Sequence, residues 1–234
     1  MTPLATLLLG LLLGLKHAFD SDHLIAISTI VARERSSWRS LWIGLFWGIG
    51  HTLTLITVGV LVLGMKAHIS EPVGLSLECL VGIVLVVLGL STLYDYRRKR
   101  LHAHHHVHGG AAHTHFHIHA NTAAHQHQHF ARIGFKPMLL GMVHGLAGSA
   151  ALMLLVLAAI PSPALGLLYI AIFGLGSVLG MGMVSLLMGF FFSLATDKLH
   201  AFDQGIRLTV GSLSTMFGAW MVVEIGFIQG LFWT

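Results

Sequence analysis

The chain has 234 residues, 55% of them hydrophobic and only 9% charged, with a formal net charge of +4 and a mean hydropathy of +0.81. Soluble domains carry about 25% charged residues, so this composition excludes an ordinary water-soluble fold. The pI near 9.6 does not indicate nucleic acid, because Lys and Arg sit at the ends of apolar segments, which is the membrane pattern. The single cysteine, Cys79, excludes an intramolecular disulfide and reads as a small core residue rather than a ligand.

Six apolar runs follow one another, and the sequence predicts a polytopic membrane protein of six transmembrane helices. The first spans Leu4 to Val31. It has no basic leader and exceeds a signal's apolar length, so no removable signal peptide is expected. The second runs from Leu41 to Met65 and the third from Leu75 to Tyr94. The last three span Pro137 to Ile160, Ala164 to Leu194 and Gly205 to Phe232. Glycine is frequent in all six, as expected where helices pack closely in lipid. These runs are too long and too uniformly apolar for barrel strands, so the fold class is all-α.

Lys and Arg set the orientation. Arg33, Arg35, Arg39, Arg97, Arg98, Lys99, Arg100, Arg132, Lys136, Lys198 and Arg207 fall in the odd-numbered loops, against Lys66 alone on the other side. The positive-inside rule then places those loops in the cytoplasm and both termini outside.

The two halves of the chain echo each other. Leu13-Gly14-Leu15-Lys16-His17-Ala18 matches Leu140-Gly141-Met142-Val143-His144-Gly145. Gly48-Ile49-Gly50-His51 matches Gly174-Leu175-Gly176-Ser177, and Val81-Gly82 with Gly89 matches Val210-Gly211 with Gly218. A three-helix unit repeated once enters the membrane upside down the second time. The expected organisation is two inverted repeats, residues 1–96 and 136–234, flanking a cytoplasmic loop at 97–135.

That loop carries twelve of the eighteen histidines between Leu101 and Phe130. It is poor in core-forming residues and is expected to be disordered without ligand. Neutral imidazole suits Ni, Co, Cu and Zn, so a flexible His tract is expected to interact with such ions. Buffering, sensing or handover to a cytosolic metallochaperone are the roles open to it.

Inside the first run stands Lys16-His17-Ala18-Phe19-Asp20-Ser21-Asp22-His23. Ionisable groups in the membrane cost several kcal/mol and mark function by default. His51 on the second run and His144 on the fourth reach a similar depth. A divalent cation is the simplest compensating partner, and the expected metal site is His17, Asp22, His23 and His51, with His144 and Asp20. Asp20 ranks below Asp22, because Lys16 four residues earlier is placed to neutralise it. On a straight helix Asp22 falls about 140° from His17. Either the helix breaks at the signature or the residues form successive stations. Glu78 and Glu224 read as interfacial or interhelical, and Met181 as packing.

At these residues the chain resembles the nickel/cobalt transporter family of bacterial secondary permeases. His17 to His23 looks like its His-x4-Asp-His signature, Gly50-His51-Thr52 its Gly-His-Ser/Thr signature, and His144 to Ser149 the shorter branch associated with urease maturation. The resemblance implies a multi-pass carrier in the bacterial inner membrane, not an enzyme, with transported Ni²⁺ or Co²⁺ and no permanent cofactor. The residues on their own indicate a borderline metal with N/O ligands, for which affinity order favours Cu²⁺. No phosphate-binding loop for ATP is present. Import is the expected direction. An exporter fed by the His-rich loop is the close rival, and a membrane-embedded haem or metal-dependent enzyme the distant one.

Overall fold

A computed structural model describes residues 2–34, 36–65, 70–100, 103–108, 111–116, 130–146, 160, 162–198 and 200–233. Its helices are α1 (Pro3–His17), α2 (Ser21–Val31), α3 (Ser37–Met65), α4 (Glu71–Arg100), α5 (Phe130–Gly145), α6 (Pro163–Lys198) and α7 (His200–Val223). A π-helical turn, Glu224–Ile228, and a short 3-10 turn, Leu231–Trp233, close the described chain. The architecture is helical and membrane-embedded. Four helices are long and apolar enough to cross a bilayer, and a fifth span is complete if α1 and α2 are taken as one broken helix. Of the fourth expected span, Pro137 to Ile160, α5 covers the part up to Gly145 and is not among those helices, and residues 147–159 lie outside the described residues.

The first apolar run is not a straight helix. Thr2 caps α1, with its hydroxyl accepting from the Ala5 amide, and Pro3 occupies the first turn, where no donor is needed. The helix ends at His17, and Asp20 adopts an extended conformation, with φ −65° and ψ 146°, at the N-cap of α2. The two axes differ by 53°. Tight turns from Phe19 to the Lys16 carbonyl and from Asp20 to the His17 carbonyl satisfy part of the broken ladder.

α1 packs on α6, α5 on α3, α3 on α6, and α4 on α7. Glycine sets these approaches. A Cβ at Gly14 would strike the Phe173 carbonyl, and one at Gly141 the Trp47 carbonyl. Along α3, Gly44, Gly48 and Thr52 meet Met181, Val178 and Gly174 in turn, so α3 and α6 run antiparallel. Across α4 and α7, Gly82 meets Gly218 and Gly89 meets Gly211, again antiparallel. Ser214 donates to the Leu85 carbonyl at 2.8 Å across the same pair.

α2 lies between this pair and the other helices. Its Ala26, Ile27 and Val31 are buried with Val81 and Leu85 of α4 and with Ile43, Trp47 and Met181. Met181 thus packs as the sequence suggested, and Cys79 is buried and free. Large apolar side chains such as Leu12, Val87 and Phe191 face outward, the inverse of a soluble protein and the arrangement lipid requires.

The His-rich stretch is not featureless. Strands β1 (Ala103–His108) and β2 (Ala111–Phe116) pair antiparallel, with His108 opposite Ala111. The rest of the stretch expected to be disordered, residues 101–102, 109–110 and 117–129, lies outside the described residues.

Candidate metal centre

The break in the first run is what assembles the site. Ending α1 at His17 and restarting at Ser21 brings His17 and His23 onto one side, with ring centroids 4.4 Å apart. An unbroken helix cannot do this, because six residues advance the face by 600°. The negative end of α1 and the positive end of α2 meet here, and Asp22 sits in the first turn of α2, where a carboxylate is favoured.

α3 supplies His51, whose ring lies 5.0 Å from His17 and 5.2 Å from His23. One ligand atom from each of His17, His23 and His51 falls within 4.8 Å of the others, and all three residues are buried. Each residue of Gly50-His51-Thr52 has a separate task. A Cβ at Gly50 would collide with the Met138 carbonyl of α5, so glycine permits the approach. The Thr52 hydroxyl donates to the Gly174 carbonyl of α6 at 3.1 Å. His51 between them faces the cluster. Two residues on, Thr54 donates to the Met142 carbonyl of α5 at 3.1 Å.

The two aspartates stand behind the histidines. Asp20 Oδ2 is 2.7 Å from His17 Nδ1, a hydrogen bond that leaves Nε2 free. Asp22 Oδ2 is 3.1 Å from His23 Nδ1, at ion-pair distance but off the hydrogen-bond axis. A carboxylate on one ring nitrogen fixes the tautomer and raises the basicity of the other, the usual support for a metal-binding histidine. The expected Lys16–Asp20 pair does not form among the described residues, and Lys16 is exposed. The reason is the break. Helical i,i+4 proximity ends at His17, and Asp20 instead turns back onto the last residue of α1.

His144 on α5 is nearly fully buried, 5.4 Å from His23 and 4.8 Å from Trp47 between ring centroids. It borders the trio rather than completing it. Neither of its nitrogens makes a hydrogen bond. Phe173 of α6, 5.7 Å from His17, walls the other side.

The electrostatic balance of the cluster is incomplete. His17 Nε2 and both nitrogens of His23, His51 and His144 are buried without a hydrogen-bond partner. Each unmet buried polar group costs about 1–3 kcal/mol. Imidazoles gathered in this way, with carboxylates behind two of them, match the donor set of a borderline divalent ion. Sequence reasoning passed over Glu78 as a neighbour of this site. α4 begins at Glu71 rather than Leu75, which carries Glu78 two turns into the helix, on the element that packs against α2 and its Asp22. A lone carboxylate in an apolar run was the available signal.

The chain is similar to several known proteins. The chain is 40% identical to the urease accessory protein UreH of Bacillus sp. (strain TB-90) over 229 residues, covering 98% of this chain and 95% of that protein. It is 26% identical to the chloroplast protein FOR GROWTH AND FERTILITY 1 of Arabidopsis thaliana over 217 residues, spanning 92% of this chain and 58% of the relative. It is 32% identical to the nickel transporter NicT of Mycobacterium tuberculosis over 108 residues, covering 37% of this chain and 29% of that protein. No protein-family model matches the chain, and no solved structure matches it significantly.

Proposed function

The chain belongs to the family of the urease accessory protein UreH, and from that premise we propose that it is a secondary membrane carrier that imports Ni²⁺ or Co²⁺. The observation that carries the reading is the buried trio His17, His23 and His51, with ligand atoms within 4.8 Å and no competing hydrogen bonds on the free nitrogens. The partial likeness to a nickel transporter adds the metal.

A bare dication in a low-dielectric interior is prohibitive without compensation. Asp20 and Asp22 supply one negative charge each, so the loaded site is close to neutral. The ion exchanges hydration water for the Nε2 atoms of His17 and His23 and one nitrogen of His51. His144 is the next donor along the path, beside His23. Each imidazole must be neutral to bind, so loading competes with protons and weakens on acidification.

The carrier is built as two inverted three-helix repeats in the inner membrane, with six spans, the odd-numbered loops in the cytoplasm and both termini outside. Support comes from exchanged contacts. Under the repeat, Gly82 corresponds to Gly211 and Gly89 to Gly218, and the packed pairs are Gly82 with Gly218 and Gly89 with Gly211. A two-fold axis between α4 and α7 produces that exchange. Likewise α1 lies on α6 as α5 lies on α3. Rocking of one half against the other around the histidines gives alternating access.

The deciding experiment is metal flux in proteoliposomes of known orientation, comparing Ni²⁺, Co²⁺ and Zn²⁺ with and without a proton gradient. Saturable inward Ni²⁺ or Co²⁺ flux that is lost in His17→Ala supports the proposal. Absence of flux for every metal refutes it. Outward flux alone favours the exporter, the reading that the basic, His-rich loop supports.

A further inference from the structure

A row of rings leads away from the histidine trio towards the amino-terminal end of α1. His51 and His17 are 5.0 Å apart between ring centroids, His17 and Phe173 5.7 Å, and Phe173 and Tyr169 6.5 Å. Successive planes are tilted by 35°, 35° and 38°. Tyr169 precedes Phe173 by one turn of α6, so it stands about 6 Å further along the axis. α1 faces the row with glycine. A Cβ at Gly14 would strike the Phe173 carbonyl, and one at Gly10 would come within 2.9 Å of the Tyr169 ring. Phe173 is therefore level with Gly14 and Tyr169 with Gly10, which gives the row its direction. Leu55 of α3 and Ile170 are buried beside the two rings. The Tyr169 side chain is fully buried, yet its hydroxyl has no hydrogen-bond partner among the described residues. As packing alone such a phenol is unfavourable, because phenylalanine fills the same space without an unmet polar atom. Hydroxyls that serve the fold are placed differently, and Thr52, Thr54 and Ser214 each donate to a carbonyl on a neighbouring helix.

Given the carrier proposed above, on which this step rests, we infer that Tyr169 is a further substrate-handling residue. Its hydroxyl is an oxygen station for the hydrated metal ion on the amino-terminal side of the histidine trio. A phenol oxygen accepts as well as donates. It takes a hydrogen bond from water on the incoming dication, and such charge-assisted bonds are the strong ones. Phe173 stands between this station and His17 and offers no ligand atom. The ion is hydrated at Tyr169 and held by imidazole at the trio, with no binding site between them. The face of the Phe173 ring still attracts a cation, which eases the step without trapping the ion. With both termini outside, as proposed, this is the entry side for import.

Tyr169→Phe deletes the hydroxyl and keeps the ring. Ni²⁺ flux of the full chain is measured in proteoliposomes of known orientation, from each face separately, beside thermal unfolding in detergent. From the amino-terminal face, KM is expected to rise about tenfold, the worth of one hydrogen bond to a charged group. From the opposite face KM is expected not to rise. There the loss appears as a slower maximal rate, because the altered step governs release. Thermal stability is expected to hold or increase, since an unmet buried hydroxyl is gone. Ile170→Val loosens the same buried cluster without touching a polar atom, and both of its KM values are expected to stay within about twofold of the parent's. Unchanged KM from both faces in Tyr169→Phe, an equal rise from both, or a rise matched by Ile170→Val overturns the role of Tyr169 and leaves the carrier standing. Absence of Ni²⁺ flux in the parent overturns the carrier, and this role with it.

Discussion

Replacing His51 by leucine separates a metal ligand from a packed core histidine. Structural zinc sites bind with about 10–16 kcal/mol shared over four ligands. One donor therefore accounts for about 3 kcal/mol, or about two orders of magnitude in Kd. At a nickel concentration of about one hundred times the wild-type Kd, bound metal stabilises the fold by about 2.7 kcal/mol. With Kd raised one hundredfold, about 0.4 kcal/mol of that remains. Without metal the sign differs. Both His51 nitrogens are buried and unpartnered, and each such group costs about 1–3 kcal/mol. Leucine removes both while filling much of the same space, so metal-free His51→Leu is expected to be at least as stable as the parent. The assay is thermal unfolding in detergent with and without Ni²⁺, in a background with alanine at all twelve histidines between Leu101 and Phe130, so that the loop does not contribute to the shift. A nickel-dependent shift equal to the parent's would refute the assignment. So would a large loss of metal-free stability, because it would mean that His51 serves the fold through hydrogen bonds.

Asp20→Asn keeps the size of the side chain but removes the charge behind His17, and about 10–100-fold weaker metal binding is expected, as for other partners of ligating histidines; dialysis with nickel measures it. Gly50→Val drives a side chain into the Met138 carbonyl, an overpacking worth about 1–3 kcal/mol or more, and should appear as loss of the monodisperse peak on size-exclusion chromatography. Arg33 bonds Asp95 and the hydroxyls of Ser91 and Thr92 at 2.7–2.8 Å. The pair is substantially exposed, so Arg33→Gln should change thermal stability by only about 0–1 kcal/mol. A larger drop would show that the tie between α2 and α4 supports the break. Glu78→Gln removes a carboxylate from α4, which packs on α2, and is expected to raise the KM for uptake several-fold at unchanged maximal rate. An unaltered KM would take Glu78 off the ion's route.

Membrane character, the positions of the long apolar helices and the residues of the cluster were readable from one dimension. Apolar length and scarcity of charge are local properties, and a buried His or Asp in such a run is conspicuous wherever it points. His17, His23 and His51 were named on that ground and do converge. Which ring nitrogens are left without a hydrogen bond was not readable, because a ring's orientation depends on its partner. Asp20 was ranked low through Lys16, yet it holds His17 at 2.7 Å. The helical spacing behind that ranking holds only within an unbroken helix. The 53° bend ends that spacing at His17 and brings two faces of one helix to the same buried cluster. Glu78 was hidden for a related reason, since its neighbour Asp22 lies more than fifty positions away along the chain. The pairing of α4 with α7 and the hairpin register were hidden in the same way. Periodicity specifies angles along a single helix, whereas a metal site depends on distances between elements, and those exist only once the helices have packed.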